Sequence, residues 1–532
     1  MKSAILLVVP RQKNTVKKDY SYMFPLGIGY VSAVLKKAGY PVDCLNLNHH
    51  EGTVGEIMKQ ALDRKKYDFV GTGNNALGYG VTEGIINAAK KHDSKPRTIL
   101  GGPIITTEPD VVFNLLNPDF AVIGEGEETI IELLDHIENG KDIKNVRGVG
   151  FRDANNAVVF TERRESSNNL DTLPWPDFQG LGYEEYLENQ HTNNSYSHNP
   201  FDYPRVYPIM GSRGCPFNCT FCYHLNKYRK RSLDSTMEEL ASVVKTYKIN
   251  VVLFYDECIA ADRERLLDLC KRMKALKDEV SWDLKWSPQL TVHNVDEETL
   301  KIMKDSGVFI ASYGFESFSN TVLKSMRKPI TSAMIDSAYH KTLAAGIGVQ
   351  ANFIFGDVAE TNETARETLG WWKKNAMGQI GLAFIQPYPG SEIYKQCIKK
   401  GIIKDKAFFI KNEISTSHWY NMTDGMTDDD IQQLKKAILD ATKYYRMFAK
   451  HSKRKMKENV YEFKVECPAC KQVIDYKNCY VENSLNYGFP LFCRNCRHRF
   501  FVISAFQKFA YRFYSNIRFL RDLQIKYSKP KK

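Results

Sequence analysis

The run Gly214-Cys215-Pro216-Phe217-Asn218-Cys219-Thr220-Phe221-Cys222-Tyr223 decides how this chain is read, because it places three cysteines within eight residues. A C-x3-C-x2-C spacing supplies only three thiolates, whereas a cubane iron–sulfur cluster has four irons. One iron is then left open to an exogenous ligand, which separates this run from closed four-cysteine frameworks that carry electrons or hold a fold. A disulfide or a zinc loop is the competing reading of such spacing. Nothing nearby in the chain offers a fourth thiolate.

Around this run lie 532 residues, enough for two to four domains that each bury a core. Apolar (43%) and charged (26%) fractions are ordinary for a folded globular chain and argue against a disordered or fibrous one. The opening stretch, residues 1–10, is short, ends at Pro10 and runs into polar sequence, so it reads as a buried first strand and not as a signal peptide. No apolar run is long enough to span a bilayer. Most of the twelve cysteines gather in or near cofactor-type clusters instead of being spread as a disulfide scaffold, which points to a reducing cytoplasm. Charge is uneven: residues 443–532 carry 21 Lys and Arg against 6 Asp and Glu, leaving 53 against 56 in the remainder. Any nucleic-acid or membrane-surface contact therefore belongs to the C-terminal part.

Residues 1–150 alternate β-rich runs (5–9, 42–47, 69–73, 98–101, 120–123) with helical patterns (26–38, 55–64, 82–91, 128–138). This is the pattern of a doubly wound α/β domain, whose ligand crevice forms at the carboxyl ends of the strands. Several of those ends are glycine-rich, among them Gly71-Thr72-Gly73, Gly101-Gly102-Pro103 and Gly124-Glu125-Gly126-Glu127. Glycine there lets a large ligand approach the backbone, or serves tight turns. Residues 151–200, rich in Asn, Ser, Asp and Pro, read as a connector. A second βα series fills residues 201–426, with strands expected at 206–210, 251–255, 282–285, 309–314, 348–355 and 381–386, and the cysteine run directly follows the first of them. In a barrel of this kind active groups collect at the carboxyl ends of the strands. Asp256 and Glu257, then Gly314 and Glu316, then Gly356 and Glu360, occupy successive ends. Taken singly, Asp256 and Glu360 also suit a helix N-cap or an exposed first turn.

The combination resembles the cobalamin-binding-type radical SAM enzymes. The first domain carries the likeness in Pro25-Leu26-Gly27, Leu100-Gly101-Gly102 and Gly124-Glu125-Gly126-Glu127, the second in its cysteine run and strand ends. The resemblance implies a Rossmann-like B12-binding domain followed by a partial (βα)6 barrel. It implies a [4Fe-4S] cluster on Cys215, Cys219 and Cys222, and S-adenosylmethionine (SAM) near Phe221, Asp256, Glu257, Gly314, Glu316, Gly356 and Glu360. Gly101, Gly102, Gly124 and Glu125 would line cobalamin. One departure is the Asp-x-His-x-x-Gly run expected after the first strand. Here that loop is Arg11-Gln12-Lys13-Asn14-Thr15, while His49 and His50 follow the second strand and read as a solvated loop pair. A second is Asp357-Val358-Ala359 where Leu-Pro-Gly is more usual.

The implied activity is reductive cleavage of SAM to a 5′-deoxyadenosyl radical and, with cobalamin, methylation of an unactivated carbon. The implied partner is a one-electron donor such as flavodoxin or ferredoxin. A rearrangement, cyclisation or oxidation with a vestigial B12-like domain is the alternative within the class. Beyond the barrel, residues 427–460 read as a helical extension. In residues 461–503, Cys467-Pro468-Ala469-Cys470 and Cys493-Arg494-Asn495-Cys496 make a zinc-ribbon-like module, four thiolates that would also suit an auxiliary iron–sulfur cluster. Residues 504–532 form a basic amphipathic pattern that suits an anionic membrane or a docked helix. A nucleic-acid-binding module built on the ribbon is the reading from another class.

Overall fold

The computed structural model describes residues 2–13, 15–193, 199–223, 227–259, 261–414, 419–481, 488–503 and 509. They fall into two compact units. The first comprises Met1–Asn189, Phe221–Ser235 and Gln386–Tyr420, the second Gln190–Thr220, Thr236–Ile385 and Asn421–Lys532.

The first unit is built on β1 (Ile5–Val9), β2 (Val42–Asn46), β3 (Phe69–Gly73), β4 (Arg97–Gly101), β5 (Phe120–Val122), β6 (Val149–Arg152) and β7 (Val158–Phe160). They form one sheet in the order β2-β1-β3-β4-β5-β6-β7. β1 to β5 run parallel. Every residue of β1 is buried because helices cover both sheet faces. Ile5 and Leu7 pack with Val34, Leu35 and Leu133 on one side, Leu6 and Val8 with Ile57, Met58 and Ile85 on the other. The strand order reverses between β1 and β3, so the crevice opens at their carboxyl ends. The sheet does not stop at residue 150. β6 and β7 extend it antiparallel into the stretch read as connector, through a tight turn in which Asp153 N–H donates to the Ala157 carbonyl and Asn156 takes φ +63. The Asp-Ala-Asn-Asn composition that signals a loop is here the turn of a hairpin.

The second unit holds β8 (Val206–Ile209), the two-residue β9 (Ser212–Arg213), β11 (Val251–Phe254), β12 (Lys285–Ser287), β13 (Gln289–Leu290), β14 (Ile310–Glu316), β15 (Gly348–Phe355) and β16 (Gly381–Phe384), while β10 (Arg229–Lys230) belongs to the first unit. β8, β11 and β12 pair in parallel, as do β13, β14, β15 and β16. Pro288, which lacks an N–H, separates the two sets. The strand expected at 282–285 lies at Lys285–Ser287 instead. Fully buried Trp286 sets that register, its indole N–H donating to the Ser306 carbonyl at 3.0 Å.

The same unit continues through the helix Asp428–Tyr444, closed by a Thr427–Asp430 capping box. It ends in an antiparallel sheet of β17 (Lys450–Lys457), β18 (Val460–Glu466) and β19 (Val473–Tyr480) beside the hairpin β20 (Phe489–Phe492) and β21 (Arg499–Val502). This sheet starts at Lys450, inside the stretch read as a helical extension. The basic pattern over residues 504–532 lies outside the described residues, Phe509 excepted. Among the described residues no helix is long and apolar enough to cross a membrane.

Candidate active site

At the carboxyl end of β8 the chain enters the cysteine run. Its cysteines are unbridged, Cys219 buried and Cys215 and Cys222 partly so. Asp256, just past β11, is 1% exposed and braces the start of this loop. Gly211 N–H donates to one of its oxygens at 3.0 Å and the Ser212 hydroxyl to the other. Burial pushes Asp256 up to about 6, against the opposing pull of those donors and of Arg265. Asp262, not Asp256, caps the following helix, accepting from the N–H groups of Glu264 and Arg265. Glu257 is exposed and acts electrostatically on the Cys215 thiol. The loop is pinned further on, where Thr220 N–H donates to the Met326 carbonyl at 3.0 Å.

β14 ends in an irregularity between Tyr313 and Glu316, and Glu316 itself takes φ +63. This bulge turns the Glu316 carboxylate toward Lys328, 3.3 Å away, with both side chains largely buried. Gly314 makes room: a Cβ there would lie 2.5 Å from the Lys328 ammonium and 2.6 Å from Glu316 Oε1. Burial alone would lower the Lys328 ammonium, yet Glu316 and the Cys219 and Cys215 thiols overcome it and keep the charge in place. Sequence reading missed Lys328, since a lysine ahead of Pro329 carries no local signal of what it faces.

Past β15, Gly356 turns at φ +94 and Glu360 folds back, its carboxylate accepting from Gly356 N–H at 3.3 Å and the Thr364 hydroxyl at 2.7 Å. Glu360 is neither an N-cap nor exposed. It is 1% exposed, burial pushes it up to about 7, and Thr361 caps the next helix.

In the first unit, the ends of β3, β4 and β5 present backbone instead of side chains. Gly102 takes φ +84, and a Cβ on it would lie 2.9 Å from the Asn74 carbonyl oxygen. Gly101 has nothing within reach of its Cβ position, and Gly124 N–H donates to Thr106 Oγ1 at 3.0 Å. Glycine keeps these strand ends free of bulky side chains, with open space over Gly101, as a large planar ligand such as a corrin would need. Glu125 is held in a buried ion pair by Arg229, whose guanidinium also donates to the Ser167 carbonyl. His49 is not solvated, correcting the sequence reading. It is 6% exposed, its Nε2 shares a proton with the Tyr22 hydroxyl at 2.8 Å, and burial pushes it down to about 4. His50 is exposed. The loop after β1 is fixed by buried Arg11, which donates to the carbonyls of Leu47, Thr15, Gly52 and His50.

Cys467 and Cys470 lie in the turn between β18 and β19, and Cys493 and Cys496 in the turn between β20 and β21. Their sulfurs all lie within 4.8 Å of one another.

Residues 14–134 match the B12 binding domain and residues 209–371 the radical SAM superfamily. The chain therefore joins a B12-binding domain to a radical SAM domain, the pairing that implies a [4Fe-4S] cluster, SAM and cobalamin. It is similar to the uncharacterized methyltransferase PH0819 of Pyrococcus horikoshii, 26% identical over 75% of this chain and 84% of that one. It is also similar to the cytidylyl-2-hydroxyethylphosphonate methyltransferase of Streptomyces wedmorensis, 24% identical over 71% and 79%. Its fold is that of the cobalamin-dependent SAM radical enzyme OxsB, with a TM-score of 0.65 at 17% identity over 83% of this chain and 67% of that one.

Proposed function

We propose that this enzyme methylates an unactivated carbon of an organic substrate. The observation that carries the reading is the backbone ledge at Gly101, Gly102 and Gly124 in a chain that also bears the three-thiolate loop. The methyltransferase names of its relatives support it. When bound, the cluster and SAM supply an adenosyl radical that removes a substrate hydrogen, and cobalamin supplies a methyl group.

In this reading Cys215, Cys219 and Cys222 hold the cluster, and Asp256 keeps the loop in place from beneath through Gly211 and Ser212. Glu257 meets the SAM amino group and Phe221 lies by the adenine. The Lys328 ammonium, fixed by Glu316, offsets thiolate charge and eases one-electron reduction. The Gly356–Glu360 turn shapes the SAM side, and the ledge with Glu125 seats the corrin. The electron comes from a flavodoxin- or ferredoxin-type donor.

The test needs no substrate. Protein reconstituted anaerobically with iron, sulfide and hydroxocobalamin is given SAM and dithionite, and S-adenosylhomocysteine and 5′-deoxyadenosine are measured. Retained cobalamin with S-adenosylhomocysteine formation is expected. 5′-Deoxyadenosine alone, from protein that does not retain cobalamin, would mean non-methylating chemistry.

A further inference from the structure

We propose that Cys467, Cys470, Cys493 and Cys496 hold a structural zinc ion that locks Phe492 into the amino-terminal mouth of the barrel. The sulfur positions select a single ion. With Zn–S bonds of about 2.3 Å, tetrahedral coordination puts sulfurs about 3.8 Å apart. Cys467 and Cys496 stand 3.7 Å apart, Cys470 and Cys493 3.6 Å, and all four within 4.8 Å. A cubane places each thiolate on a different iron and spreads them too widely for this arrangement. The surroundings suit thiolates. Cys496 N–H points at Cys493 Sγ at 3.4 Å and the Asn495 amide at Cys470 Sγ at 3.7 Å.

What the ion would hold in place is set by the neighbouring residue. Phe492, immediately before Cys493, packs with Val206, Val251, Phe309 and Ile310. Val206, Val251 and Ile310 are the first residues of β8, β11 and β14. Gly348, the first residue of β15, comes so close that a Cβ on it would lie 3.2 Å from the Phe492 ring. Phe492 thus closes the end of the parallel strands opposite the cysteine run and the acidic strand ends. The hairpin carrying it is tied to its surroundings at three points. The Tyr476 hydroxyl donates to the Phe492 carbonyl at 2.9 Å, Phe492 N–H donates to Asn199 Oδ1 at 3.3 Å, and Arg494 pairs with Asp202 at 2.7 Å. Two four-residue strands do not hold themselves, so a metal joining both turns fixes the plug. A redox-silent ion at the closed end serves folding and not electron delivery.

The test begins with metal analysis of the anaerobically purified full-length protein. Zinc stoichiometric with the chain is expected, unchanged when Cys215, Cys219 and Cys222 are replaced by alanine. Cys470→Ser should lose that zinc and keep the cluster absorption. Amide exchange at Val206, Val251 and Ile310 should then quicken by about tenfold or more. Phe492→Ala should quicken the same amides while retaining zinc. Iron in place of zinc at the four cysteines, or exchange unchanged in the Phe492→Ala protein, overturns the proposal. If Cys470→Ser is insoluble, the wild-type metal content and the Phe492→Ala exchange decide it.

Discussion

At the scale of single residues, buried charge is the main organiser of the site. Removing Lys328 takes the paired cation away from the buried Glu316 carboxyl, and breaking such a pair costs about 3 to 5 kcal/mol. Lys328→Met should therefore destabilise the anaerobic holoenzyme in a denaturant titration, and the Lys328→Met/Glu316→Gln double variant should regain most of the loss. The cluster of the Lys328→Met variant should also reduce at a lower potential, since a positive charge beside two thiolates has gone. Glu360 makes a pH prediction. Its carboxyl is raised from 4.5 to about 7 by burial, so the folded state favours its protonated form. That contribution is complete below pH 4.5 and is lost as pH rises through 7, on the order of 3 kcal/mol. Glu360→Gln should flatten the fall in stability across that window, and an unchanged profile would count against the assignment. Both acids were visible as strand-end residues in the sequence, but their partners were not. Lys328 lies twelve positions beyond Glu316 and reaches it only because a bulge re-aims the carboxylate.

At the scale of elements, the strand ends bring together the residues proposed to hold the cofactors. Gly102→Ala places a Cβ 2.9 Å from the Asn74 carbonyl oxygen at a left-handed φ, a strain of about 1 to 3 kcal/mol. Cobalamin retained after loading should fall well below wild type, as read from its absorption after desalting. Asp256→Ala removes the acceptor for Gly211 N–H and the Ser212 hydroxyl, so iron content after reconstitution should drop while far-ultraviolet circular dichroism stays unchanged. Periodicity located most of these strands to within a residue or two. It failed at 282–285, where tryptophans 282 and 286 both satisfy an apolar pattern, and only the burial of Trp286 against Ser306 chooses the register. It also stopped the first sheet early, because a polar hairpin turn and a polar linker have the same composition.

At the scale of the whole molecule, compact units do not follow chain order. The first unit takes in Phe221–Ser235 and Gln386–Tyr420, which supply Arg229 to Glu125, Lys406 to Glu108 and Lys411 to Glu83. A fragment ending at residue 189 lacks all three cations. It should unfold at lower denaturant than Met1–Asn189 does within the full chain, with Arg229→Met reproducing part of the loss. The sequence by itself determined the three-thiolate run and the succession of two βα domains, because ligand spacing, glycine at strand ends and strand–helix alternation are local properties that act within a few residues. Only the tertiary structure decided which charges face the thiols, that His49 is buried, and that Phe492 closes the foot of the barrel. Those depend on residues tens to hundreds of positions apart, which packing brings together without a local pattern announcing it.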